Sequence, residues 1–166
     1  MTSMVLKTEP KAETPRTGVT GRAEIANALN GVLADTVVLM LKTQGCHWNV
    51  VGPMFQPIHE LTEAQYRDLF EAVDTLAERI RALGAFAPVS FAEMISHAEL
   101  SEEEEVRPAA GMLTELIEDH ETLTRRLREL AAVAAEREDG ATEDLANARM
   151  SAHEKALWML RAIATG

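Results

Sequence analysis

From Arg22 onward, apolar side chains return at steps of three and four: Ile25, Leu29, Val32, Leu33, Val37 and Leu41. That spacing follows the helical repeat and predicts one long helix, which Gly52-Pro53 ends. A second run, Ile58, Leu61, Leu69, Val73, Leu76 and Ile80, starts near Pro57, a residue suited to a first turn, and closes at Gly84. At roughly 27 residues it is about 40 Å long. The stretch from Ala85 to about Glu105 reads as a long connection with Pro88 and an acidic run, Glu102 to Glu105. Within it, Ser90 and Glu93 form a capping-box pattern ahead of a small helix through Ile95. A third long helix is expected from near Pro108 to about Glu136. Gly140 separates it from a fourth, starting near Thr142 and carrying Leu157, Trp158, Leu160 and Ile163. The pattern is all-α: a four-helix bundle with a short extra helix in the crossover between helices two and three. Residues 1–20 show no periodicity and are expected to be a flexible N-terminal tail, leaving 21–166 as the bundle domain.

Composition narrows the class. The 166 residues suit one domain. Apolar residues make up 46% and aromatics only 4%, which favours packed helices over a sheet. A formal charge of −11 argues against a folded body that binds nucleic acid generally. The single cysteine, Cys46, excludes an intrachain disulfide and makes a reducing compartment the default. The first twenty residues lack the apolar core of a signal peptide, and no run of 18 apolar residues occurs. A cytoplasmic protein with no membrane span is expected.

Candidate chemistry lies on one stripe: His47, His59, Glu63, Asp74 and Glu78. His59 and Glu63 are four apart, as are Asp74 and Glu78, so each pair shares a helical face. The rise from Glu63 to Asp74 is roughly 16 Å, while the rotation returns the second pair to within about 20° of the first. The two half-sites look the same way but lie too far apart to hold one ion. A second copy packed antiparallel across a two-fold axis would bring Asp74 and Glu78 of one chain to His59 and Glu63 of the other. Imidazoles and carboxylates together suit iron, zinc or manganese, and the donor set alone does not choose among them.

The Glu-x-x-His step that builds a di-iron site inside one bundle is missing. Gln44, Gln56, Met94, Ile117 and Met150 stand three residues before the histidines. Trp48 reads either as lining the metal site, where it intercepts stray radicals, or as an interface or core anchor. Cys46 reads as a small buried hydrophobe. His97, His120 and His153 have no partner at ligand spacing and read as structural, and the methionines as core filling.

The segments His47-Trp48-Asn49-Val50, Gly52-Pro53, Phe55, His59-Glu60, Glu63 and Asp74-Thr75-Leu76-Ala77-Glu78-Arg79 resemble the signature of the Dps family. These are the DNA-binding proteins from starved cells, the mini-ferritins of the ferritin-like superfamily. The likeness covers about forty residues with matching spacings, and the helix order and closing Trp158-Met159-Leu160 agree. The resemblance implies a ferritin-like fold and a hollow homo-dodecamer assembled from two-fold dimers, with ferroxidase centres at the two-fold contacts. Ferrous iron is then oxidised, preferentially by hydrogen peroxide, and stored as ferric mineral, which protects against oxidative stress. Carried over, His47, His59 and Glu63 come from one subunit and Asp74 and Glu78 from its mate. Many members have Asp where this chain has Glu63, so the longer arm bears on how a second iron sits.

Two further expectations attach to the resemblance. Its acidic segment between the last two helices lines iron-admitting pores, for which Asp139 and Asp144 are the candidates here; helix capping explains the same residues without a pore. DNA binding has thin support. Up to Arg22, four basic side chains face two acidic ones, a net of +2, so the remainder carries −13. The alternative function, a nucleoid-associated protein that compacts DNA with iron chemistry secondary, calls for a more basic tail.

Overall fold

The computed structural model describes residues 9–165; residues 1–8, part of the expected tail, and Gly166 lie outside the described residues. Its helices are α1 (Arg22–Asn49), α2 (Phe55–Ala82), α3 (Phe91–His97), α4 (Ala109–Glu136) and α5 (Gly140–Ala164). No strand occurs among the described residues. The four long helices form the bundle: α1 packs on α2 and α4, α4 on α5, and α3 lies in the crossover against α1.

The helices differ in how much surface they give to the core. On α4, Leu113, Leu116, His120, Leu123, Leu127 and Leu130 recur at three- and four-residue steps and form a single buried stripe. On α2, Ile58, Leu69, Leu76 and Ile80 are 11, 7 and 4 residues apart, whole numbers of helical turns to within a fraction, and share one buried face. Each fully buried side chain of this size contributes about 1.5–3 kcal/mol. In contrast, α1 is apolar almost all round. It is long and apolar enough to cross a membrane by length and composition, yet most of that stretch is buried inside the bundle. It serves as the central helix, packed by neighbours on several sides.

The helix ends follow local chemistry, with two shifts from expectation. α2 starts at Phe55 rather than near Pro57, because Gly52 C=O accepts from Phe55 N–H (3.0 Å) and opens the turn earlier. Pro57 then falls in the first turn, where no N–H is required. α5 starts at Gly140 rather than near Thr142, because the Asp139 side chain caps it by accepting from Thr142 N–H (3.2 Å). Ser90 caps α3 as its pattern suggested, accepting from Glu93 N–H at 3.2 Å. The Glu93 carboxylate reaches back to Val89 N–H (3.2 Å), one residue before the position a capping box uses.

α2 ends in a Schellman motif, with Gly84 N–H donating to Arg81 C=O (2.9 Å) and Ala85 N–H to Ile80 C=O (3.2 Å). Gly84 takes φ 89°, and a Cβ there would lie 2.0 Å from Glu13 C=O. Glycine is needed twice over: for the left-handed turn, and because the N-terminal segment crosses its α-carbon. Residues 9–20 form no helix. Val19 rests on the core, and Thr20 N–H approaches Arg137 C=O at 3.4 Å.

One buried polar cluster fixes the crossover. Asp35 of α1 is fully buried. It accepts from Glu99 N–H (2.7 Å), Leu100 N–H (3.0 Å) and Arg126 Nη1 of α4 (2.5 Å). Arg126 also donates to His97 C=O (2.9 Å), so α1, α4 and the end of α3 share one network. Gly31 makes room for it, since a Cβ there would lie 2.1 Å from Arg126 Nη2. Asp35→Ala leaves Arg126 unpaired and two backbone donors without an acceptor, at an expected cost of about 3–5 kcal/mol. Chemical denaturation checks this; a change below about 1 kcal/mol would show that the cluster does not hold the crossover.

Candidate metal centre

The centre begins where α1 hands over to α2. His47 lies in the last turn of α1 and His59 in the second turn of α2, and the short link between them folds the two residues together. The His47 Nδ1–H donates to His59 C=O and the His59 Nδ1–H donates to His47 C=O, each at 2.8 Å. A carbonyl can only accept, so each ring carries a proton on Nδ1, and in the neutral form this tautomer presents the Nε2 lone pair. The rings stack, with centroids 3.8 Å apart and planes 14° from parallel. Phe55 stacks on the outer side of His59 at 5.0 Å, and Tyr66 meets His47 edge-on at 5.3 Å. Four rings thus form a short column that fixes both imidazoles. A carbonyl on the far nitrogen is the usual way a metal-binding histidine is oriented.

Glu63 lies one turn beyond His59 and is partly exposed. Arg67 donates to its Oε1 from Nη2 (2.6 Å) and Nε (3.1 Å). This guanidinium pulls the Glu63 pKa below the ordinary carboxylate value, with smaller contributions from His47 and His59. Asp74 and Glu78 lie farther along α2 and are exposed. Among the described residues, no three His, Cys, Asp or Glu side chains gather where they could hold an ion. Within one chain the candidate ligands stay in two groups, His47 of α1 with His59 and Glu63 of α2, and Asp74 with Glu78 farther along α2. Trp48 follows His47 and is 61% exposed, so it is no core anchor within the chain. With Leu41, Phe91, Ile95 and Val106 it lines an apolar cleft of about 330 Å³. Cys46 is buried, and burial pushes its thiol up to about 11, leaving it inert.

The two acids proposed for a pore part company. Asp139 is buried. Its carboxylate caps α5, accepts from Thr142 Oγ1 (2.5 Å) and pairs with Arg79 Nη2 (2.5 Å). Burial opposes its ionisation, but Arg79 and Thr142 outweigh it and lower the pKa. Capping therefore accounts for Asp139, while Asp144 is exposed.

The spacing rules missed three features. Arg67 and Tyr66 flank the centre, and an i,i+4 search from Glu63 would have found the arginine. The third is a partnership of His120 and His153, which lie on different helices 33 residues apart in sequence. Their Nδ1 atoms are 2.8 Å apart inside the bundle, so one donates and the other accepts. The Nε2 atoms have no partner. They line a cleft with Gln65, Asp68 and Arg149, and Arg149 is held by Asp68 at 2.7 and 3.1 Å.

The family is decided by comparison with known proteins. A ferritin-like domain profile matches residues 26–165. The chain is 38% identical over 143 residues to a DNA protection during starvation protein from Porphyromonas gingivalis, covering 86% of this chain and 90% of that one. The chain belongs to the Dps family of ferritin-like proteins. An uncharacterised low-temperature-induced protein of Nostoc is similar at 40% identity over 147 residues, covering 87% of this chain and 82% of the relative. The Dps protein of Vibrio cholerae O1 superposes with a TM-score of 0.85 at 32% identity, over 93% of this chain and 98% of that one. That protein is described as a member of a broad superfamily of ferritin-like diiron-carboxylate proteins.

In this Dps-family chain the bundle interior carries the histidine pair instead of a Glu-x-x-His site. Burial, reinforced by Arg149, lowers the His120 pKa to about 4; Asp68 opposes the shift. Burial, His120 and Arg149 hold His153 well below its ordinary value. Both rings are neutral when folded and take up protons on unfolding. Their contribution is complete above the unfolded pKa of about 6.5 and is lost as pH falls toward 4, where His120 alone accounts for about 3 kcal/mol. Denaturant midpoints between pH 6.5 and 4 should fall steeply in wild type and less steeply in a His120→Asn, His153→Gln double variant. Equal slopes would show that the pair does not set acid sensitivity.

Proposed function

We propose that this Dps-family chain oxidises ferrous iron at centres shared between two subunits and stores the ferric product inside a hollow homo-oligomer, the family's dodecamer. The observation that carries the reading is the reciprocal His47–His59 lock, which engages both Nδ1 atoms with backbone and leaves both Nε2 atoms free, with Glu63 one turn beyond His59 on α2. That donor set fits iron: two imidazole nitrogens, plus carboxylates to balance charge. Asp74 and Glu78 of the partner subunit complete the set across the two-fold axis. Support for such a contact comes from the large apolar side chains the single chain leaves exposed, among them Trp48, Phe70, Phe91 and Val106.

The residues divide the work. His47 and His59 bind and orient ferrous iron through nitrogens whose tautomer the backbone has set. Asp74 and Glu78 hold it and offset its charge, and Glu63 reaches toward a second ion. Two ferrous ions each give up one electron, so one hydrogen peroxide takes both as its O–O bond breaks and its oxygens leave as water or hydroxide. Paired delivery avoids the one-electron cleavage that releases hydroxyl radical. Trp48, beside His47, is placed to surrender an electron to any radical that forms. Asp144 is the exposed acid of the α4–α5 corner, suited to attracting cations toward a pore in the assembled shell. Compaction of DNA by the same shell would require a basic surface, and the charge of −11 opposes it. The donor chemistry and the single reduced cysteine suit the cytoplasm.

Mixing the apo protein with ferrous iron and peroxide tests the reading. A His47→Ala, His59→Ala double variant should oxidise iron at least about tenfold more slowly than wild type, the loss typical even for the outer supports of a metal ligand. Equal rates in correctly assembled protein would end the proposal.

A further inference from the structure

Arg67 occupies a position that the site's charge balance makes significant. Glu63 is the carboxylate whose arm is one methylene longer than the aspartate many family members carry, and it is the acid on the histidine side of the centre. Its Oε1 already receives two hydrogen bonds from the Arg67 guanidinium, at 2.6 and 3.1 Å. The guanidinium lies 5.7 Å from the centroid of Tyr66, and the Tyr66 ring in turn abuts His47. A positive charge is thus stationed on the third ligand and steadied by the same aromatic column that fixes the imidazoles.

Counting formal charges shows what this cation does. Glu63, Asp74 and Glu78 bring three negative charges to each shared centre. One divalent ion leaves a single negative charge, and Arg67 cancels it. A second divalent ion must take Glu63 from Arg67 and settle beside a guanidinium that no longer has a partner. Building on the shared centre proposed above, we propose that Arg67 stands in for the second metal ion. It keeps the one-metal state neutral and sets the affinity gap between first and second ion. An ordinary surface pair at i,i+4 would stabilise the helix slightly and leave metal binding unchanged, so metal binding separates the two roles.

The test titrates assembled, iron-free protein with Co²⁺ alone and follows its ligand-field absorption, in wild type, Arg67→Gln and Arg67→Lys. Arg67 is 66% exposed, so both variants should fold. Two separated steps per centre are expected in wild type. In Arg67→Gln the second step should tighten roughly twofold to fivefold, the range of an exposed ion pair, and more than the first, so that the gap narrows. Arg67→Lys keeps the charge and should retain the wild-type gap. If wild type shows one step only, Arg67→Gln must reveal a second. A second step in Arg67→Gln equal to or weaker than wild type, or one step in both, overturns the assignment of Arg67 and leaves the shared centre standing. If Co²⁺ binding is absent, or persists in the His47→Ala, His59→Ala variant, the centre itself fails and Arg67 with it.

Discussion

Two imidazoles, each hydrogen-bonded to the other residue's backbone carbonyl, join the last turn of α1 to the second turn of α2. The metal chemistry proposed for this Dps-family chain depends on that contact. It sets the tautomer of both rings and fixes their spacing, leaving both Nε2 nitrogens free of the backbone. The cost of ordering two ligands is met on folding rather than on binding. Phe55 and Tyr66 close the stack at either end, so rotation of either ring would break both aromatic packing and a hydrogen bond.

The rest of the bundle keeps this junction where it is. The core leucines of α4 hold α1 from behind. Lys42, two turns before the end of α1, is tied to Glu115 (3.0 Å) and Asp119 (2.6 Å) of α4. Burial works against its charge, but the two carboxylates outweigh it and raise its pKa. At the far end of α2, Arg79 bonds Thr142 Oγ1 (2.8 Å) and Asp139, fastening α2 to the cap of α5. Asp74 and Glu78 precede this fastening on one unbroken helix. Their distance from the histidines is a property of the helix, and no rearrangement of a single chain shortens it.

Much of this was legible in the residues because it is local. Leucine and isoleucine periodicity marks the helices, and Gly84 marks the end of α2 because that turn needs a positive φ. The candidate ligand stripe follows from i,i+4 arithmetic. Contacts between distant segments were not legible. No spacing rule reveals that Asp35 gathers Glu99, Leu100 and Arg126, or that His120 meets His153 across two helices. Asp139 illustrates the limit well. The sequence allowed both a cap and a pore, and only Arg79, sixty residues away, shows what occupies its carboxylate.

The central claim is that neither half-site works without a second subunit, and mixed assemblies test it directly. One parent chain carries His47→Ala and His59→Ala; the other carries Asp74→Ala and Glu78→Ala. Each parent alone should be inactive. When the two are refolded or co-expressed together in equal amounts, half the two-fold pairs are mixed, and each mixed pair regains one intact centre of two. The account predicts recovery of about a quarter of the wild-type rate of ferrous oxidation. Mixed assemblies as inactive as the parents would contradict it, because a centre contained within one chain cannot be rescued by a neighbour.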